Sequence, residues 1–170
     1  GYTELFKELS NQYGQREKSD PDVVYIDNYL SWPLYNNVTL EQKAEYLNSR
    51  IQLIPAEAGD NVAEEEKRVF VPPCSLENRL KWATSLNSMR KQMAKVTNAR
   101  IVVGGRTSGF KGYMAGVAEE FMIATENKQH VYLIGGFGGV AHLLADIIEK
   151  KTTFAAMRDV AMSDGNYKEL

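Results

Sequence analysis

The stretch that decides the fold is ARIVVGGRTSGFKGYMAGVAEEF, residues Ala99–Phe121, in which a short apolar run is followed by a segment with five glycines. The same order occurs in VYLIGGFGGVAHLL, residues Val131–Leu144, where a second apolar run is followed by four more glycines. Short apolar runs rich in β-branched residues predict strands, and the patterns that follow the glycines predict helices. The repeated order of strand, glycine loop and helix is typical of βαβ units in a parallel sheet.

The chain before this region carries further helical patterns. Two of them begin with a capping residue, at Thr39 and at Ser75. A short strand is predicted at residues 23–26, and the run Ile101–Val103 indicates a strand covered on both faces. We therefore expect residues 1–170 to form a single α/β domain with a mostly parallel central sheet and helices on both faces.

Composition excludes several classes of protein. With 44% hydrophobic residues, 25% charged residues and a net charge of -2, the chain is typical of a globular domain without a basic surface for nucleic acid. One cysteine and two histidines exclude a Cys/His zinc site, and we expect no metal and no cofactor. The lone Cys74 and the lack of a run of about 20 apolar residues predict a cytoplasmic protein that does not enter a membrane.

The glycine loops follow the carboxyl ends of two strands, which is where ligands bind in open parallel sheets. Glycine allows positive φ and lets a ligand approach backbone N–H groups closely. Two such loops, each followed by a helix N-terminus, favour a pyrophosphate or two phosphates; simple turns remain the alternative. Neither loop has the Gly-Lys-Ser/Thr end of a P-loop, and the match to Gly-x-Gly-x-x-Gly is inexact.

Charged residues flank the first loop. Arg90 either lines the glycine cleft or lies at the surface, and Glu119 and Glu120 either face a ligand or favour the N-terminal end of their helix. Arg106 and Lys111 suit phosphate by chemistry, with plain solvation as the alternative. Asp27, Asn28 and Tyr29 follow the first predicted strand, and they either contact a ribose or base or simply fill a loop. The acidic run at residues 64–66 indicates a solvated face rather than a metal cluster, because nothing in the sequence pairs with it.

The segments SMRKQMAKVTNARIVVGG and GYMAGVAEEF resemble the SLOG superfamily (Smf, DNA-processing protein A and Lonely guy) of Rossmann-like nucleotide-binding domains. Residues 90–93, Arg-Lys-Gln-Met, are similar to the Arg-Lys-x-x-Met element of its phosphoribohydrolases. Residues 115–120 are similar to their Gly-Thr-x-x-Glu element, which puts Glu120 at the position of the catalytic glutamate. The two glycine loops, together with NYLSWP and ENRLKWATSLNSMR, resemble a bacterial defence-associated branch more closely still.

The resemblance implies a Rossmann-like three-layer fold and two alternative functions. The first is a sensor that binds ADP-ribose or a cyclic ADP-ribose made from NAD and regulates an effector domain or protein in antiviral defence. The second is a nucleoside-monophosphate phosphoribohydrolase that uses Arg90 and Glu120. Relatives often form dimers, so a homo-oligomer is expected. The ligand-binding residues expected for the sensor are Arg90, Gly104, Gly105, Arg106, Gly109, Lys111, Gly112, Met114, Gly116, Glu119, Glu120, Gly135, Gly136, Phe137, Gly138 and Gly139.

Two departures from the hydrolase pattern favour binding over catalysis. Val117 replaces the threonine whose hydroxyl donates to phosphate, and the loop GGRTSGFKGYMAG is longer than the compact Pro-Gly-Gly turn. The family's first strand and glycine turn should also precede the first helix, and residues 1–3 resemble the end of that turn. We therefore expect the 170 residues to be part of a longer polypeptide or to lack the first strand.

Overall fold

The computed structural model describes residues 3–17, 20, 23–156 and 158. Six α-helices, four strands and one 3₁₀ turn have bounds within these residues, and residues 154–156 are also helical. In chain order they are α1 (Thr3–Glu17), β1 (Ile26–Leu30), α2 (Trp32–Tyr35), α3 (Leu40–Asn48), β2 (Ile51–Pro55), α4 (Leu76–Val96), β3 (Ala99–Val103), α5 (Gly116–Glu126), β4 (His130–Ile134), the 3₁₀ turn (Gly135–Phe137) and α6 (Gly139–Ile148).

The strands form two parallel pairs, which confirms the predicted α/β class. Strand β1 pairs with β2, in a register that places Ile26 opposite Ile51. Strand β3 pairs with β4, and the register that places Val103 opposite Ile134 brings their carboxyl ends level. The described strands thus form two two-stranded parallel sheets, one of which carries both glycine loops.

Helices α5 and α6 cover one face of the β3–β4 sheet. Val102 lies on that face and is buried with Ala118, Val140 and Leu144. The neighbouring Ile101 points to the other face and is 66% exposed, and Tyr132 on β4 is 61% exposed. The prediction that Ile101–Val103 is covered on both faces is therefore wrong for the described residues, because successive side chains of a strand point to opposite faces.

The predicted helix starts are confirmed. Thr39 and Gln42 form a capping box, in which the Thr39 hydroxyl accepts from the Gln42 N–H and the Gln42 side chain accepts from the Thr39 N–H. The Ser75 side chain accepts from the Asn78 N–H and caps the 21-residue helix α4. These two caps fix where α3 and α4 begin, and the start of α4 sets which of its residues face the β3–β4 region.

One prediction in the first half of the chain is wrong. Asp27 lies within strand β1 rather than in a loop after it, because the strand runs to Leu30. The acidic run is largely solvated, with Glu64 and Glu65 exposed, and the ammonium of Lys81 donates to both carboxylate oxygens of the half-buried Glu66 at 2.9 Å. Lys81 is buried, and its stem helps to hold the irregular segment after β2 against α4.

Glu66→Gln is expected to lower the free energy of unfolding near neutral pH and to have less effect as the pH falls. The hydrogen bond from Lys81 holds the pKa of the Glu66 carboxyl below its ordinary value of 4.5. A carboxyl with a lowered pKa in the folded state contributes stability above its unfolded pKa, and this contribution is lost as the pH falls through the folded value. Urea denaturation from about pH 7 down to about pH 3 measures the difference.

Glu65→Gln is the matched control, because Glu65 is exposed and forms no ion pair within the described part of the chain. Its effect should be small at every pH. A difference between wild type and Glu66→Gln that stays constant across this pH range would contradict the assignment of the ion pair.

Candidate functional site

The two glycine loops contact each other directly at the carboxyl ends of β3 and β4. The N–H of Val140 donates to the Gly105 carbonyl at 3.2 Å, and the N–H of Ala141 donates to the Gly104 carbonyl at 2.8 Å. Gly139 has a φ of +67°, and a Cβ there would lie 2.4 Å from the Gly105 oxygen. Close packing of the two loops therefore requires glycine at 139.

The two helix N-termini are not equivalent. Because Val140 and Ala141 donate to the first loop, α6 has already used two of its first backbone donors. At the start of α5, the N–H groups of Gly116, Val117 and Ala118 have no hydrogen-bond partner among the described residues, and no side chain caps the helix. The two helices therefore differ in the backbone donors that they leave without a partner, which are the groups by which helix N-termini bind anions.

A buried ion pair lies behind the first loop. Arg90, which is only 7% exposed, pairs through Nη1 with the Oε2 atom of Glu119, which is 4% exposed. The other carboxylate oxygen of Glu119 accepts from the Asn87 amide at 2.6 Å. The Arg90 guanidinium also lies against Gly116, where a Cβ would come within 2.6 Å of Nη2. Sequence analysis paired Arg90 with Glu120, whereas the close partner of Arg90 in the structure is Glu119, and this pair holds the start of α5 in place.

Glu120 lies beside this pair and is shared by two arginines. Its Oε1 atom is 3.6 Å from Arg90 Nε, and its Oε2 atom is 3.3 Å from Arg100 Nη1. Each oxygen of this carboxylate therefore faces an arginine, and the two contacts fix the orientation of the carboxylate. The arrangement suits an electrostatic support for the loop better than the attacking group of a hydrolase.

The remaining predicted residues divide into packed and open positions. Lys111 lies over the Trp82 ring at 4.5 Å, and Met114 packs against the buried core. A Cβ at Gly135 would lie 2.8 Å from Ala145, so Gly135 serves the packing of the turn on α6. Arg106 is exposed, and its side chain has no ion-pair or hydrogen-bond partner in the described ranges.

The turn between β4 and α6 faces open space. A Cβ added at Gly136 or at Gly138 would meet no atom within 4 Å, and the same holds for Gly109 in the first loop. Phe137 lies between the first two and is 78% exposed. This open surface joins the start of α5, because Gly139 contacts Gly105 and a Cβ at Gly105 would meet Val117. We call the combination of these two loops and the α5 N-terminus the glycine cleft.

Sequence analysis did not identify three residues that lie in this region. Asn87 precedes Arg90 by three residues on α4, so helical spacing could have placed both on one face. Arg100 shares the strand face of Val102. Burial raises the pKa of the Tyr113 phenol, and the nearby Glu119 carboxylate raises it further. The position of Tyr113 in this region could not be predicted from the sequence, because a long loop has no hydrophobic periodicity that would show which way its side chains point.

The comparison with protein families agrees with this geometry. A family model described as SLOG cluster2 matches residues 1–170, and the chain therefore belongs to the SLOG cluster2 family. Membership confirms the predicted superfamily and marks the chain as a nucleotide-related domain. No curated protein and no solved structure matches the chain. Among the described helices, none has the length and apolar character needed to cross a membrane.

Proposed function

We propose that this SLOG domain senses a nucleotide derived from NAD, of the ADP-ribose or cyclic ADP-ribose type, and regulates an effector in bacterial antiphage defence. The ligand binds in the glycine cleft, and it is not cleaved. The effector is a further domain of the same polypeptide or a separate protein, and the regulated unit is a homo-oligomer. The resemblance of both loops to the defence-associated branch supports this choice within the SLOG family.

The observation that carries the proposal is the set of unpaired donors at the start of α5 beside an open surface. The N–H groups of Gly116 and Val117, both half-buried, have no hydrogen-bond partner among the described residues, and exposed Arg106 supplies a positive charge from the first loop. A pyrophosphate carries the charge and the oxygens that such a site prefers. The exposed Phe137 ring gives a neighbouring platform for a base.

The same geometry favours binding over hydrolysis. Arg90 and Glu119 neutralise each other in a buried pair, and Glu120 is held by two arginines. A glycosidase needs a carboxylate free to attack or to activate water at the sugar carbon. The locked carboxylates and Val117 in place of the hydrolase threonine both remove groups that hydrolysis would use.

Gly136→Asp is expected to weaken binding of ADP-ribose at least tenfold. The substitution puts a negative charge into the open part of the cleft, where it repels the phosphates. The fold should persist, because a side chain at this position meets no atom within 4 Å. Isothermal titration measures the affinity, and circular dichroism checks the fold.

Gly136→Ala is the matched control, since it adds a Cβ without charge in the same open space. Its affinity should stay within about threefold of wild type. Equal affinity of Gly136→Asp and wild type would remove the second loop from the ligand site.

A further inference from the structure

A cavity of about 340 Å³ lies on the flank of α4, and its lining includes no residue of the turn at Gly136–Gly138. Its volume is in the range of small-molecule sites in proteins. One wall is a stripe of α4 and the other is the segment that follows β2, with one side chain from the first glycine loop. The lining side chains that matter below are Glu57, Asp60, Asn87, Lys91, Lys95 and Tyr113.

The wall after β2 is fixed to α4 by specific contacts. The N–H of Gly59 donates to the buried Ser85 hydroxyl at 2.9 Å, and the N–H of Glu57 donates to Gln92 Oε1 at 3.3 Å. A Cβ at Gly59 would lie 2.4 Å from the Thr84 hydroxyl, so the segment rests directly on the helix. The cavity is therefore bounded by structure that holds its shape.

The charges in the cavity are separated and unpaired. Lys91 and Lys95 are four residues apart on α4, so about one helical turn separates them on one face. Glu57 and Asp60 line the cavity from the other wall. Within the described ranges none of these four side chains forms an ion pair, although opposite charges share the cavity.

We propose that this cavity binds a small phosphorylated sugar. Lys91 and Lys95, both exposed and one helical turn apart, can each donate to one phosphate, while carboxylates only accept hydrogen bonds and so select the hydroxyl donors of a sugar. Carboxylates bind ribose hydroxyls in this way in nucleotide-binding folds. Tyr113 closes the remaining side with an aromatic ring and a hydroxyl.

The cavity also connects to the glycine cleft. Tyr113 belongs to the loop between β3 and α5, and Asn87 donates to the same Glu119 carboxylate that pairs with Arg90. Arg90 in turn lies against Gly116, at the start of α5. Filling the cavity therefore acts on groups that hold the anion site, although the proposal does not depend on which nucleotide the cleft binds.

Ribose 5-phosphate is the probe for the test, titrated into the purified chain by calorimetry. The wild type should show saturable binding, tighter than binding of inorganic phosphate or of ribose. Lys91→Gln combined with Lys95→Gln should weaken it at least tenfold, whereas Lys128→Gln, an exposed lysine outside the cavity, should not. Asp60→Asn should weaken ribose 5-phosphate and leave inorganic phosphate unchanged.

Gly136→Asp separates this site from the glycine cleft. It should leave ribose 5-phosphate binding unchanged, and loss of binding in that variant would mean that the probe occupies the cleft instead. No saturable binding to wild type, or equal binding by the double lysine variant, would overturn the proposal. An Asp60→Asn variant that binds like wild type would also overturn it, since the site would then recognise only an anion. Failure of ADP-ribose to bind the wild type would count against the proposed function alone.

Discussion

Glu119→Ala is expected to lower the free energy of unfolding by about 3–5 kcal/mol. The substitution leaves the buried Arg90 guanidinium without Glu119 and with only the more distant Glu120 carboxylate, 3.6 Å from its Nε atom, and the Arg90 and Glu119 side chains are both almost fully inside the protein. It also removes the acceptor of the Asn87 amide. A domain of this size is stable by only about 5–15 kcal/mol, so urea denaturation should show a large shift of the midpoint.

Glu126→Ala serves as the control for this substitution. Glu126 is the last residue of the same helix and is exposed, and it forms no ion pair with another described residue. Its replacement should change the free energy of unfolding by less than about 0.5 kcal/mol. Replacing both partners, as Arg90→Met with Glu119→Leu, should recover much of the loss, because no charge is then left buried. Equal stability of Glu119→Ala and Glu126→Ala would refute the buried pair.

Gly139→Ala should destabilise the domain by about 3 kcal/mol. A φ of +67° costs an alanine about 1 kcal/mol, and the new Cβ would lie 2.4 Å from the Gly105 oxygen. The loops must separate to relieve this contact. Separation weakens the hydrogen bonds from Val140 and Ala141, each of which contributes about 1 kcal/mol. Thermal and urea unfolding both measure the loss.

Two neighbouring glycines divide this effect into its causes. Gly138→Ala meets open space, but the Gly138 backbone, with φ +76° and ψ −159°, lies in a region almost restricted to glycine, so the substitution should cost about 1–3 kcal/mol through backbone strain alone. Gly136→Ala has open space and no positive φ, and it should cost less than Gly138→Ala. A Gly139→Ala variant no less stable than Gly136→Ala would show that the two loops do not pack as described.

The second half of the fold could be predicted from local patterns. Strands, turns and helix starts are specified here by features that span only a few residues: β-branched runs, the glycines that follow them, and capping residues. These features predict β3, α5, β4 and α6 directly. The Ser75 cap likewise gave the start of α4. Exposure of Ile101 could not be predicted, because a run of apolar residues does not say whether an element covers the second face of the sheet.

The candidate site was predictable in its residue types and less so in its contacts. Glu119 and Glu120 are adjacent, and helical residues point about 100° apart, so only one of them can face the buried side of Arg90 directly. Which one does so depends on the rotation of α5 against α4, which is a property of tertiary packing. The same packing decides that α6 gives its backbone donors to Gly104 and Gly105 while α5 keeps its own.

The most direct test of the proposed function is a calorimetric titration of the purified chain with ADP-ribose, its cyclic isomers and AMP, with the ligand recovered and analysed afterwards. The account predicts tight binding of an ADP-ribose species that is recovered intact. Recovery of free base together with ribose phosphate would contradict it, since the chain would then be a glycosidase with Glu120 as its catalytic residue.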